Sequence, residues 1–293
     1  MSRLLVVGDL HISNKTPSSR LDEDYLETCR GKLQQVVTLS QNVDATLLTG
    51  DLFNSPNPPY TVLIMFLTDF LSQFTSPVFT ILGNHDVFSR SLKTLTRTAA
   101  YLLREVGQLR IISPLTENPI QLSDSCIYVG KETKDHYHGT KIEMIHELLT
   151  ERLEFIGTIP VEEYHTEADI VISGHYHPGF EKWVGPVFFL NPGSLLRTNV
   201  GEKDRQPKVA ILDTKTTEVT LVDIKTTGSE IFREMSSPGD SIMDSEGLRR
   251  CLRLFAQEQE KFSVDQLVRE VGREHKFDDS CIQEVLKRLH AEY

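Results

Sequence analysis

From Leu4 to about residue 225 the chain repeats short apolar runs, most ending in a glycine or a polar cluster: "LLVVGD", "DATLLTGD", "PVFTILGNHD", "SCIYVG", "DIVISGHYH", "PVFFLNPGS", "KVAILD" and "EVTLVDI". Runs of this length, rich in Val, Ile, Leu and Phe, suit strands buried on both faces. Helical patterns separate the early runs. Leu26, Cys29, Leu33 and Val36 or Val37 fall at helical spacing, and "VLIMFLTDFLSQF" follows the second strand. Strand and helix alternation predicts a layered α/β domain over residues 1–228. The last strands arrive without helices between them, which predicts an antiparallel finish.

Beyond Gly228 the texture changes. "GSEIFREMSSPGDS" reads as a linker, and three helical stripes follow: Leu248, Cys251, Leu252, Phe255; Val264, Leu267, Val268, Val271; and Ile282, Val285, Leu286, Leu289. Ser263 with Gln266 forms a capping-box pattern, and Asp278 suits an N-cap. The expectation is a short all-helical appendage over residues 229–293. With 10 Lys and Arg against 14 Asp and Glu in that stretch, docking a protein suits it better than reading DNA.

Composition changes this picture little. The chain has 293 residues, 39% hydrophobic and 25% charged, which is ordinary globular usage. The longest apolar run is far too short to span a bilayer, and "MSRLLVVGDL" lacks a signal-peptide layout. Cys29, Cys126, Cys251 and Cys281 are scattered without C-x-x-C pairing. These features predict reduced thiols, a cytoplasmic location and no membrane partner. The net charge of -11 argues against a globally basic nucleic-acid binder, but it leaves room for a local basic patch or a cation-recruiting carboxylate cluster.

Five strand ends carry the candidate chemistry. "GDLH" supplies Asp9 and His11, two residues apart and so on one side of an extended chain. "GDLF" supplies Asp51, and "GNHD" supplies Asn84, His85 and Asp86. "KIEMIHELL" carries His146, and "SGHYHPGF" carries His175 and His177. Ligand sites of α/β sheets lie beyond the carboxyl ends of the strands, so these groups converge. Oxygen donors mixed with imidazoles suit Mn²⁺, Fe²⁺ or Zn²⁺, and no cysteine lies in the motifs to make a structural zinc site. His136 and His138 sit in a polar segment and are expected to be exposed.

The motif order D-x-H, GD, GNHD, H, GH-x-H resembles the calcineurin-like metallophosphoesterase superfamily from Leu4 to about Leu196. The resemblance implies a four-layer α-β-β-α sandwich holding two divalent metal ions, Mn²⁺ first, with Fe²⁺, Zn²⁺ or Mg²⁺ as alternatives. It implies that Asp9, His11 and His177 hold one ion, that Asn84, His146 and His175 hold the other, and that Asp51 bridges both. "GDLF", the insert of about 40 residues before it, and "NPGSLLR" (Asn191 to Arg197) are similar to the recombination-nuclease branch, the nuclease subunit of the bacterial SbcCD complex and its relatives. That branch usually carries a longer C-terminal region with a capping domain, whereas only a short tail follows here.

The resemblance implies a DNA exonuclease or endonuclease of repair, recombination or replication. It would be partnered with an SbcC-like coiled-coil ATPase and be capable of homodimerising. His85, between a ligand and an acid, is the candidate general acid, with Asp86 expected to orient it. Arg90, Lys93 and Arg97, at helical spacing just beyond, form a candidate basic stripe for DNA, with Arg197, Lys203 and Arg205 as weaker additions. The alternative is a small-substrate phosphatase or cyclic phosphodiesterase. A non-catalytic scaffold ranks last, because every motif position is filled.

Overall fold

The computed structural model describes residues 2–130, 138–154, 157–226 and 232. The chain divides into two units, Met1–Arg233 and Glu234–Tyr293. The helical stripes expected within 229–293 lie outside the described residues, as do His136 and the two C-terminal cysteines.

In chain order, β1 (Arg3–Val7), α1 (Tyr25–Ser40), β2 (Ala45–Leu48), α2 (Tyr60–Met65), β3 (Val78–Thr80), α3 (Ala99–Glu105) and β4 (Arg110–Ile111) form the first half. Then come β5 (Ile120–Gln121), β6 (Ser125–Tyr128), β7 (Thr140–Ile145), β8 (Leu149–Thr150), β9 (Ile159–Pro160) and β10 (Ile170–Ser173). The described chain finishes with β11 (Phe180–Val184), β12 (Val187–Asn191), β13 (Lys208–Asp213) and β14 (Val219–Asp223). One six-stranded sheet runs β14-β13-β1-β2-β3-β4 and the other β11-β12-β10-β7-β6-β5. The central strands are parallel; β13, β14, β11 and β5 pair antiparallel at the margins. The antiparallel finish follows the pattern.

The apolar runs are continuous because each strand buries both faces. Leu4, Val6, Ala45 and Leu47 meet Ile142, Met144, Ile170 and Ile172 between the sheets. The alternate residues Leu5, Val7 and Leu48 pack outward on the helical layer of α1, α2 and α3. Val171 and Phe189 face the opposite side, under Leu149, Val161 and Tyr164. Each such Leu, Ile or Val contributes about 1.5–3 kcal/mol by burial, so Leu47→Ala, at the sheet interface, costs about 2–5 kcal/mol. The two outer layers are unequal. Among the described residues the second sheet is covered by the β8–β9 pair and the 3-10 turn Val161–Glu163 rather than by an α-helix.

The segment after β3 departs from expectation. Arg90, Lys93 and Arg97 do not share one α-helix, because Ser89 and Arg90 adopt positive φ (51° and 55°) and break the run. Two 3-10 turns result, Phe88–Arg90 and Leu92–Arg97. The Thr94 hydroxyl locks them by accepting the Phe88 N–H at 3.0 Å and donating to the Ser91 carbonyl at 2.7 Å. The helix α3 begins only afterwards, where Thr98 caps it by accepting the Tyr101 N–H.

Candidate metal centre

The strand ends converge because glycines leave room for them. A Cβ on Gly83 would sit 2.2 Å from Asp51 Oδ1, and one on Gly174 would sit 2.6 Å from the Thr49 carbonyl and 2.7 Å from Asp9 Oδ1. Any larger residue there pushes the ligand-bearing loops apart. At or just beyond the motif glycines the backbone twists. His11, Asp51 and His175 all take left-handed φ, at 47°, 49° and 72°. Such strain costs about 1–3 kcal/mol per residue and persists only where neighbours hold it. Here the Asp51 carbonyl accepts the His11 N–H at 2.8 Å, Asp51 Oδ1 accepts the His85 N–H at 2.7 Å and Asp9 Oδ2 accepts the His175 N–H at 2.9 Å. The extended chain expected between Asp9 and His11 is therefore a turn, although both side chains still reach one place.

Two groups of donor atoms form, Asp9–His11–His177 and Asp51–His146–His175, each within 4.8 Å. The Asn84 amide lies 3.3 Å from His175 Nε2 and so joins the second group. Asp51 Oδ2 spans the two, 3.2 Å from His146 Nε2 and 3.6 Å from His11 Nε2. A ring nitrogen of His85 also comes within 4.8 Å of donor atoms of His11 and Asp51, so His85 borders the site.

Three imidazoles are aimed from behind. His11 Nδ1 meets Asn54 Oδ1 at 3.1 Å, His146 Nδ1 meets the Thr49 carbonyl at 2.8 Å, and His177 Nδ1 meets Glu202 Oε1 at 2.8 Å. Those oxygens only accept, so each Nδ1 carries the proton and each Nε2 turns its lone pair inward. The result is acceptors facing acceptors. His11 Nε2 lies 3.2 Å from His177 Nε2, while Asp51 Oδ2 and His146 Nε2 are buried 3.2 Å apart and, among the described residues, have no other hydrogen-bond partner. Lone pairs at that distance repel unless a cation lies among them, so these residues fit a pair of divalent ions.

The electrostatics agree. Burial pushes the Asp51 carboxyl up, but the hydrogen bond and charge of His146, with His11, hold it well below the usual carboxylate range. Burial pulls His146 down, yet Asp51 and Asp9 override it and raise it to about 9, so without ions a proton on His146 Nε2, shared with Asp51, takes the place that a cation would fill. Burial lowers His11 and, with the charge of His146, His175. Glu202 is raised by burial and lowered further by His177, to about 2. The pocket therefore demands positive charge at its middle.

Some assignments move. Asp86 does not orient His85 through its side chain. Its buried carboxylate accepts the N–H groups of Asp51 at 2.7 Å, Leu52 at 3.0 Å and Gly83 at 2.8 Å, tying the second motif loop to the third. Both oxygens are spent on the backbone, and His85 Nδ1 instead meets the Asn54 carbonyl at 3.1 Å. Burial and the Asp51 charge push Asp86 up to about 7. Three N–H donors and no acceptor for a carboxyl proton nevertheless favour the carboxylate. Arg197 does not stand at the surface as a free cation. It is 7% exposed, its guanidinium donates to the Lys203 and Arg205 carbonyls, and it stacks on Phe232. Arg205 likewise donates to the Ser194 carbonyl and hydroxyl. Arg90, Lys93 and Arg97 are exposed, but Arg97 lies over the Phe88 ring and only Arg90 borders the cavity that reaches Asn84 and His146.

Sequence reasoning missed Asn54, Thr49 and Glu202, the groups that aim the imidazoles. Asn54 directly follows "GDLF", and Asn199 with Glu202 has the N-x-x-E spacing of a capping box, which the structure forms.

The sequence profile of the calcineurin-like phosphoesterase family matches residues 2–179. Similar solved structures include an archaeal phosphodiesterase, 17% identical with a TM-score of 0.42, covering 75% of this chain and 99% of that one. The protein TT1561 of Thermus thermophilus is 14% identical with a TM-score of 0.49, covering 76% and 99%. Zinc-complexed Vps29 of Entamoeba histolytica is 16% identical with a TM-score of 0.38, covering 76% and 99%.

Proposed function

The chain belongs to the calcineurin-like phosphoesterase family, and from that premise we propose that it hydrolyses phosphodiesters of a polynucleotide, with Mn²⁺ as the working ion. The observation that carries the two-ion reading is the pair of facing acceptors, His11 with His177 and His146 with Asp51. Asp9, His11 and His177 would hold one ion and Asn84, His146 and His175 the other, with Asp51 between them. Bound there, two divalent ions supply an activated water at neutral pH and neutralise charge developing on the phosphoryl group.

The chain's own residues do the rest. His85 Nδ1 donates to the Asn54 carbonyl, so Nε2 is the atom that hands a proton to the leaving oxygen. Asp86 keeps His85 at the rim by fixing the backbone of Asp51 and Gly83. Arg90, which borders the same cavity as Asn84 and His146, meets the phosphate under attack. Asn54 touches His11 with its side chain and His85 with its carbonyl, which couples ligand and proton donor through one residue.

The DNA-nuclease form of the reading is supported by the "GDLF" and "NPGSLLR" motifs and by Arg90. Within it, the acidic stretch after residue 229 docks an SbcC-like coiled-coil ATPase, a pairing that co-purification with such a subunit would test. A small-substrate phosphatase is the second reading, favoured by the burial of Arg197 and the dispersal of Arg90, Lys93 and Arg97. Purified protein with Mn²⁺ would be offered linear DNA, closed single-stranded circles, and bis- and mono-p-nitrophenyl phosphate. Nucleotide release from DNA supports the nuclease. Monoester turnover with inert DNA overturns it in favour of the phosphatase.

A further inference from the structure

Beside the second group of donors lies a cavity of about 520 Å³ between the ends of the two sheets. Leu82, Val87, Leu92 and Ile112 line it from the segments that follow β3 and β4, and Val129 and Ile145 from the ends of β6 and β7. Asn84 and His146 border the same cavity, so whatever fills it abuts the ion site. Hydrolysis of a phosphate needs no such wall, since a bare phosphate is held by cations and N–H donors. An apolar cavity of this size is instead what holds the non-reacting part of a ligand, with a few polar groups setting its orientation.

The charges on the wall narrow the occupant further. Glu143 and Glu147 also line the cavity, and Arg90 is the one Lys or Arg among its described lining residues. Glu143 is buried and already accepts the hydroxyls of Tyr164 at 2.9 Å and Thr166 at 2.5 Å, which holds its charge in place. Two carboxylates repel a second anionic group. The occupant is therefore uncharged and mostly apolar, with the scissile phosphate at its edge toward Asn84, His146 and Arg90.

We infer that this cavity is a nucleoside subsite: it receives the base of the nucleotide whose phosphate is attacked, and it makes the enzyme selective for nucleoside esters over simple alkyl esters. The inference rests on the phosphodiester reading above. Arg90 serves the phosphate, and Leu92, from the 3-10 turn after β3, and Val129, just beyond β6, flank the base from opposite walls.

Two substrate classes with the same leaving group isolate the nucleoside: methyl p-nitrophenyl phosphate, and the p-nitrophenyl esters of thymidine 5′- and 3′-phosphate. With Mn²⁺-loaded protein, kcat/KM for at least one thymidine ester is expected to exceed that of the methyl ester by about tenfold or more, the size of effect one well-filled apolar pocket supplies. Leu92 and Val129 are half-buried at the rim, so Leu92→Trp and Val129→Trp narrow the cavity without emptying the core. Each is expected to bring that ratio toward one, with circular dichroism confirming the fold. Calorimetry gives a readout that needs no turnover: thymidine 5′-phosphate should bind the wild type at least ~10-fold more tightly than inorganic phosphate. Equal kcat/KM for thymidine and methyl esters, ratios unmoved by both tryptophans, or equal binding of thymidine 5′-phosphate and phosphate would each overturn the subsite. Absence of turnover on every diester, with the nucleotide still bound preferentially, would sink the phosphodiesterase reading and leave the subsite standing.

Discussion

The two donor groups are built from the same side-chain types but held differently. In the first, His11 is aimed by the Asn54 amide and His177 by the Glu202 carboxylate, which itself accepts the N–H groups of Thr198 at 2.6 Å and Asn199 at 2.8 Å. In the second, His146 is aimed by the Thr49 backbone carbonyl, while among the described residues the His175 ring nitrogens find the Asn84 amide, at 3.3 and 3.5 Å, and no carbonyl or carboxylate. A carboxylate behind an imidazole raises its basicity more than a carbonyl does. The first group is thus the more firmly braced by side chains, and the second is the one that opens to the apolar cavity. A tight ion beside a looser one is the division this asymmetry supports.

Asp51 is the residue both groups share, and its replacement should have the largest effect. Asp51→Asn removes a charge from each group and is expected to lower kcat by about three orders of magnitude or more, consistent with several kcal/mol of charge stabilisation. If one group alone lost its ion, the bridging role would be wrong. Next comes His85→Ala, which leaves both groups intact. Its kcat should fall by ~10²–10⁴-fold on an ester with a poor leaving group, and by much less with p-nitrophenol, which needs no proton. An equal loss on both esters would make His85 a ligand or a structural group instead.

Glu202→Gln sharpens the contrast between the groups. Its amide would turn donors toward the donors of Thr198 or Ser194, and ion affinity in the first group should drop by ~10–100-fold while the second group keeps its own. In the ion-free protein the same residue has a pH signature. Its folded pKa is depressed from 4.5 to about 2. Its contribution, of order 1–3 kcal/mol, is therefore present above about pH 4.5 and fades as pH falls toward 2. The stability gap between wild type and Glu202→Gln should close over that window in urea melts. A gap independent of pH would mean that the charge of Glu202 is not what matters. The smallest effect is expected for Arg90→Ala, an exposed group: KM for DNA rising several-fold at low salt and the difference shrinking as salt is added.

The motif residues were legible because strands buried on both faces write continuous apolar runs, and four of the five site-bearing runs end in glycine where the loops crowd, the His146 run being the exception. "VVGD", "LLTGD", "TILGNHD" and "VISGHYH" therefore mark the site directly. What lies behind the ligands was not legible. The Thr49 carbonyl leaves no side-chain trace, and Glu202 lies 25 residues from His177 in a loop whose capping box reads as purely local. Asp86 looked like the partner of His85 because it is adjacent in sequence, but a tight turn points adjacent side chains apart. Arg197 and Arg205 looked like surface charges, yet loop carbonyls and Phe232 took them inward. Helical spacing over 90–97 misled for the same kind of reason: Thr94 offered the backbone side-chain hydrogen bonds that compete with a helix.

Counting the ions tests the centre most directly. Equilibrium dialysis of wild type, Glu202→Gln and Asp51→Asn against graded Mn²⁺, read by elemental analysis per chain, needs no substrate and no turnover. Two ions per wild-type chain are expected, bound with unequal affinity. Glu202→Gln should weaken the tighter one only, and Asp51→Asn should weaken both. A single ion in the wild type, or Asp51→Asn binding two ions as tightly as the wild type, would contradict a paired centre bridged by Asp51.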